Sequence, residues 1–455
     1  MKRLTTSITE GPILKAVFTY TLPIILTSIL QLLFNAADLI VVGRFCGSTS
    51  VAAVGATGSL TTLIVNLFIG LSVGAGVAVA HAYGANDDLT LHRTVHTAIT
   101  TSIVAGAILT VVGVMYSETF LRLMDTPEHI LPLSATYMRI YFFGIIFNML
   151  YNYSASILRA VGDTKRPLVF LSIAGVVNVV LNIIFVTVFD MNVAGVALAT
   201  TISQAISAIL VVLSLMHRTD ACRLYLRELK IHKDEFVKII RIGLPAGIQS
   251  SLFAISNVII QSSVNSFGED FMSGCAAASN IEGFVYVILN SFMQTAINFV
   301  GQNYGAGNYK RVLKVFWTCI ASVLSVGIVV CTAVYMAAPQ LLKIYITDSP
   351  QAIADGLLKM KFICLPYFLC GLMEVTTGAI RGMGSSFVTM VISVLGVVGL
   401  RIGWIYTVFA AHHTPETLFF SYIVSWIGTF LCQLVAFLIV YKRKTKNKTN
   451  TDLCS

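Results

Sequence analysis

The sequence predicts an all-α membrane protein with twelve transmembrane helices in two pseudo-symmetric six-helix lobes and both termini cytoplasmic. Three observations carry this. Of 455 residues only 11% are Asp, Glu, Lys or Arg and 56% are hydrophobic, with a mean hydropathy of +0.83. A soluble domain carries roughly 25% charge, so the polar surface here is too small for a water-soluble globule, and a disordered or fibrous chain is excluded as well. Apolar runs of spanning length recur along the whole chain, and the second half repeats the first.

The first run, 16–42, follows Met1-Lys2-Arg3 and a polar stretch to Glu10. It is too long for a signal-peptide core and reads as an uncleaved first helix. Next come 51–80, 94–116, 136–157, 168–189 and 193–216, then 242–266, 275–299, 313–336, 360–380, 387–410 and 418–441. Each holds about 20 residues or more, enough to cross the hydrocarbon. The interruptions are mostly Gly, Ser, Thr and Asn, which suit helices packed closely in lipid. The longest polar stretch, 217–241, reads as a cytoplasmic linker between lobes 1–216 and 242–441, and 442–455 as a basic cytoplasmic tail.

Lys and Arg are distributed unevenly between alternate sides. The side that carries the termini collects 23, seven of them between Arg218 and Arg241, whereas the other holds six: Arg44, Arg122, Arg139, Lys343, Lys359 and Lys361. By the positive-inside rule the termini are cytoplasmic. The net charge of +9 is therefore orientation rather than a nucleic-acid surface, since no basic stretch is interleaved with aromatics beyond the membrane edge.

The repeat has an offset of 222 residues: Leu22-Pro23 meets Leu244-Pro245, Asn35 meets Asn257, and Arg159-Ala-Val-Gly162 meets Arg381-Gly-Met-Gly384. At 221, Tyr83-Gly84-Ala85 meets Tyr304-Gly305-Ala306. Matches of Pro, Asn and Arg-x-x-Gly at helix breaks weigh more than coincidences of Leu and Val. Two copies with an even number of helices share one orientation, an arrangement of transporters with a substrate path between the halves.

An intramembrane acid is a functional candidate because its charge is costly in hydrocarbon. Asp38, Glu282 and Glu374 qualify. Asp38 and Glu282 lie at matched depths, roughly 8 and 10 Å inside the outer ends of their helices at 1.5 Å per residue, one in each half. Pro23, upstream of Asp38, removes a backbone hydrogen bond and permits a kink. Asn178 and Asn182 share one helix face, and with Thr200 they suit either Na⁺ coordination or hydrogen bonding between helices. Arg401 lies within a span with no acid near it in sequence, and Glu374 stands two turns before Arg381. The nine Cys are scattered singly and suggest neither disulfides nor a metal cluster. His92 and His96 lie at i and i+4, but no neighbouring acid or Cys completes a site, so no metal is expected. Cys454 precedes only Ser455 and carries no prenylation signal.

In combination these residues resemble the multidrug and toxic compound extrusion (MATE) family. The resemblance rests on the two-times-six pattern, Pro23 and Asp38, the turn Leu158-Arg-Ala-Val-Gly-Asp-Thr164, its partner Ile380-Arg-Gly-Met-Gly384, and Val300-Gly-Gln-Asn-Tyr-Gly-Ala306. Asn280-Ile-Glu282 and Met373-Glu374 look most like the MepA-like bacterial branch. The resemblance implies a monomeric, multi-pass protein of the bacterial cytoplasmic membrane that exports cationic amphiphilic drugs by antiport with H⁺ or Na⁺ and needs no cofactor beyond the coupling ion. It also implies a cation site of Asp38, Asn178, Asn182 and Thr200. Asn182 departs from the family's Asp, which removes a carboxylate, leaves Asp38 to act nearly alone and favours H⁺. Glu282 is expected to serve substrate or proton in the second lobe, while Tyr137, Met138, Phe142, Tyr151 and Met293 are candidates to line an adaptable cavity.

Two other readings lack support in the residues. A lipid-linked oligosaccharide flippase of the same superfamily needs a basic cavity for pyrophosphate, and Arg401 alone lies deep. An intramembrane enzyme needs a nucleophile with its base, or metal ligands at one depth, and no helix pairs two acids.

Overall fold

The computed structural model describes residues 8–347 and 349–451, and among these every regular element is helical. Lys2, Arg3 and Cys454 lie outside the described residues. We number the helices α1 (Ile13–Cys46), α2 (Ser48–Gly84), α3 (Asp88–Leu123), α4 (Leu131–Ala160), α5 (Lys165–Thr187) and α6 (Asn192–Met216). After a linker holding one short 3₁₀ turn, Leu226–Glu228, come α7 (Lys233–Asn265), α8 (Glu269–Gly305), α9 (Tyr309–Tyr345), α10 (Pro350–Phe362), α11 (Phe368–Gly382), α12 (Ser386–Phe409) and α13 (Pro415–Thr451).

Eleven of these helices are long and apolar enough to cross a membrane. The exception is the tenth expected span, 360–380, which is divided into α10 and α11. Pro366 is the cause. It has no N–H to donate and disfavours helical backbone at the residue before it, so 363–367 forms turns in which Tyr367 N–H reaches the Cys364 carbonyl at 3.3 Å. The polar residues upstream belong to a helix that Ser349 starts, its hydroxyl accepting from Ala352 N–H at 3.1 Å, with Pro350 at the first position. Lys359, expected just before the span, is therefore helical together with Lys361.

The repeat extends to the backbone. Positive φ occurs at Gly47 and Gly268, at Asn86 and Gly307, and at Gly162 and Gly384, matched pairs in the two halves. The side chain of Asp87 caps α3 by accepting from Thr90 N–H at 3.0 Å, as Asn308 caps α9 by accepting from Arg311 N–H at 3.2 Å.

The chain forms two compact units, one of Leu22–Gly247, the other of the segment ending at Thr21 together with Ile248 onward. The divisions fall inside α1 and α7, beside Pro23 and Pro245. In the first unit the early half of α7 packs against α2 through two small-residue motifs, Gly70-x-x-x-Gly74 and Gly243-x-x-x-Gly247. A Cβ on Gly70 would meet the Gly247 nitrogen at 2.2 Å, and one on Gly74 the Ile239 carbonyl at 2.3 Å, so only glycine permits this approach. In the second unit the start of α1 packs on α8, with Thr21 and Thr295 hydroxyls bonded at 2.8 Å and Tyr20 edge-on to Phe299.

Buried clusters centre on Tyr153, Ile157 and Leu158 in the first unit and on Phe271, Phe419 and Trp426 in the second. The linker joins the first of these through Cys222, Leu224 and Ile239. Ile40, Val176, Val258 and Phe387 stay more than 60% exposed, as fits helices whose solvent is lipid.

Candidate cation site

Asp38 comes from α1, Asn178 and Asn182 from successive turns of α5, and Thr200 from α6. The fold closes these four into a ring. Asn182 Nδ2 donates to Asp38 Oδ1 and, at 3.2 Å, to Asn178 Oδ1. Asn178 Nδ2 donates to Thr200 Oγ1 at 3.3 Å, and that hydroxyl donates to Asp38 Oδ2 at 3.1 Å. Both carboxylate oxygens thus accept, which is the pattern of an ionised Asp. Asn178 and Asn182 are buried, Asp38 and Thr200 half-buried. Asn182 Oδ1 is buried without a partner. No described Lys, Arg or His lies within ion-pair distance of Asp38.

The second unit treats its acid differently. Glu282 on α8 and Lys359 on α10, 6% and 8% exposed, form an ion pair at 3.3 Å. Lys359 Nζ also donates to the Cys275 carbonyl at 3.1 Å and to Ser279 Oγ. Glu282 Oε1 is buried with no partner. The sequence reading missed Lys359 because it began the span at residue 360. The signal was present in Ser349-Pro350, a helix start that carries Lys359 into the last turn of α10.

Deep basic residues are therefore not confined to Arg401. Arg381, 5% exposed, donates to Gln249 Oε1 on α7 at 2.8 Å, and lies on α11 with Glu374, 6% exposed. Arg401 donates through Nε to Ser425 Oγ at 3.0 Å and stacks its guanidinium 4.0 Å from the Tyr422 ring centroid. Pro23 lies within α1, where Thr27 Oγ1 donates to its carbonyl at 2.7 Å. Met138 is fully buried among Phe142, Ile145 and Met149, Tyr151 is 4% exposed, and Met293 is 7% exposed, with its carbonyl 2.6 Å from a Cβ built on Gly378. Tyr137 is half-buried beside Val41, Val42 and Val193 and stacks on Tyr141.

A family profile named MatE matches residues 23–184 and 245–407. The chain belongs to the MatE family. The two matched stretches begin at Pro23 and Pro245, the same offset as the internal repeat, so each half carries one copy of the MatE unit. This is a family of multidrug efflux transporters rather than enzymes, and this MatE protein is accordingly a multi-pass membrane protein. It is 28% identical to the "Probable multidrug resistance protein YpnP" of Bacillus subtilis (strain 168), over 86% of this chain and 88% of that protein. It is 23% identical to the "Multidrug export protein MepA" of Staphylococcus aureus (strain MRSA252), over 97% of each. Its fold is similar to the solved structure "Outward-facing conformation of a multidrug resistance MATE family transporter of the MOP superfamily", with a TM-score of 0.89, 22% identity, and coverage of 98% of this chain and 99% of that one.

Proposed function

We propose that this MatE protein exports cationic amphiphilic compounds by antiport with H⁺, and that Asp38 is the coupling acid. One observation carries the reading: Asp38 is a carboxylate without a basic partner, held by neutral donors that suit exchange of its proton. When ionised it accepts from Asn182 and Thr200. When protonated, one of its oxygens must donate instead, and half a turn of the Asn182 amide presents the partnerless Oδ1 as acceptor. An amide can serve both states, which an Asp at 182 cannot do without carrying a proton of its own. The preference for H⁺ over Na⁺ rests on position 182, where an amide stands in place of the family's Asp and offers a bound Na⁺ one carboxylate fewer.

A lone carboxylate attracts a cation when ionised and loses that attraction when protonated. Proton arrival at Asp38 therefore favours cation release, and proton departure favours loading, provided the site opens alternately to the two sides. Glu282 supports the reading less directly, because Lys359 already balances its charge.

The test is ethidium flux in proteoliposomes under an imposed pH or Na⁺ gradient. Asp38→Asn is expected to lower transport driven by the pH gradient at least tenfold, with Asp38→Glu retaining part of it. Parental rate and pH dependence in Asp38→Asn would refute the assignment, and a Na⁺ gradient driving flux where a pH gradient does not would refute H⁺ coupling.

A further inference from the structure

The acids nearest His92 and His96 in the sequence, Asp87 and Asp88, do not join them in the fold; the folded linker supplies the third ligand instead. Glu228, at the end of the turn Leu226–Glu228, brings Oε2 to 2.7 Å from His92 Nε2. One ligand atom from each of His92, His96 and Glu228 lies within 4.8 Å of the other two. The two imidazole rings, one turn apart on α3, have centroids 4.1 Å apart.

The tautomer of His96 is settled by its neighbours. Its ring is 1% exposed, and Nδ1 lies 2.8 Å from the His92 carbonyl, to which it must donate. Nε2 accepts from the Tyr225 backbone N–H at 3.1 Å. A histidine with one ring N–H on a backbone carbonyl and the other nitrogen unprotonated is oriented as metal-ligating histidines are. His92, 30% exposed, shares a proton with Glu228, 55% exposed, and that proton is what a cation would replace.

We infer that His92, His96 and Glu228 form a binding site for a divalent transition metal, with Zn²⁺ the best match. Two imidazoles and one carboxylate are a Zn²⁺ ligand set, and three protein ligands leave the fourth position to water. Ca²⁺ and Mg²⁺ prefer oxygen alone. Ligand bonds of roughly 2.1 Å in a tetrahedral site put donor atoms about 3.4 Å apart. The two histidines and the acid therefore need side-chain shifts of about 1 Å, with no movement of α3. The Tyr225 N–H must give up His96 Nε2 for the metal to bind there. Bound metal would cross-link the linker turn to α3.

The experiment is an optical titration of the full-length, tag-free protein in detergent with Co²⁺, whose visible d–d absorption reports tetrahedral nitrogen and oxygen ligands. One equivalent is expected to bind with saturation and to be displaced by Zn²⁺. His92→Ala and Glu228→Gln alter partly exposed side chains and leave buried His96 in place, so both should keep the parental unfolding temperature without metal. Each is expected to weaken binding at least tenfold, while His217→Ala leaves it unchanged. The site is refuted if no saturable single-equivalent absorption appears, or if it persists in both variants.

Discussion

The two acids that sequence analysis paired at matched depth, Asp38 and Glu282, occupy opposite electrostatic situations. Asp38 has only neutral donors, whereas Glu282 is fastened to Lys359. Removing one partner of a buried ion pair leaves an uncompensated charge and costs about 3–5 kcal/mol, while replacing both is often close to neutral. Lys359→Met is therefore expected to lower stability by about that amount, and Glu282→Gln with Lys359→Met to recover most of it. Thermal unfolding of the two purified variants in detergent checks this. A double variant as unstable as the single one would mean that Lys359 acts through Ser279 and the Cys275 carbonyl rather than through Glu282. Asp38 was readable from sequence because an acid inside an apolar run stands out by itself. The ion pair was not, because its basic member lies next to a run whose boundary only the cap at Ser349 defines.

At the scale of elements, close approach decides which helices associate. Gly70 and Gly74 meet Gly243 and Gly247 at backbone distance, and a side chain there forces α2 and α7 apart. Overpacking typically costs 1–3 kcal/mol, and here the obstruction is main chain that cannot rotate away. Gly74→Val is expected to lose at least about 2 kcal/mol. Gly55→Ala, on the same helix with open space around its Cβ position, should be neutral or slightly stabilising. Unfolding temperatures of the two variants distinguish them, and equal losses would remove the packing argument. Helix α12 contains two π-helical segments, Val394–Gly399 and Ile405–Phe409, on either side of Arg401. Such turns shift side-chain direction locally, and hydrophobic periodicity does not announce them. The break between α10 and α11 was announced by Pro366, which a run judged by hydropathy alone passes over.

At the scale of the whole chain, the linker is built structure rather than a loose tether. Cys222 is fully buried, and that burial pushes its thiol up to about 12. It should resist maleimide in the native protein and react on unfolding, as mass spectrometry of the labelled peptide would show. Burial opposes ionisation of Asp220, but hydrogen bonding and charge from Arg218, with the Cys222 backbone N–H, outweigh it and hold the carboxyl below the usual aspartate value. A carboxyl depressed by folding contributes stability above its unfolded pKa, and that stability is lost as pH falls through the folded value. Hydrogen exchange across 218–224 is therefore expected to quicken as pH drops below about 4, after correction for intrinsic rates. Asp220→Asn should show the faster exchange already at neutral pH, and identical protection in parent and variant would contradict the role given to this pair.

The sequence by itself determined the solvent of this protein, its helical class and its two-copy architecture. Composition and spacing suffice for these, since hydrocarbon demands internally bonded backbone and each span satisfies that demand locally. The four residues of the Asp38 ring needed family resemblance as well. Tertiary structure alone decided which charges are neutralised, where the units divide within α1 and α7, and that Glu228 reaches His92. Those outcomes depend on side chains far apart in the chain coming within a few ångströms, and no local periodicity carries that information.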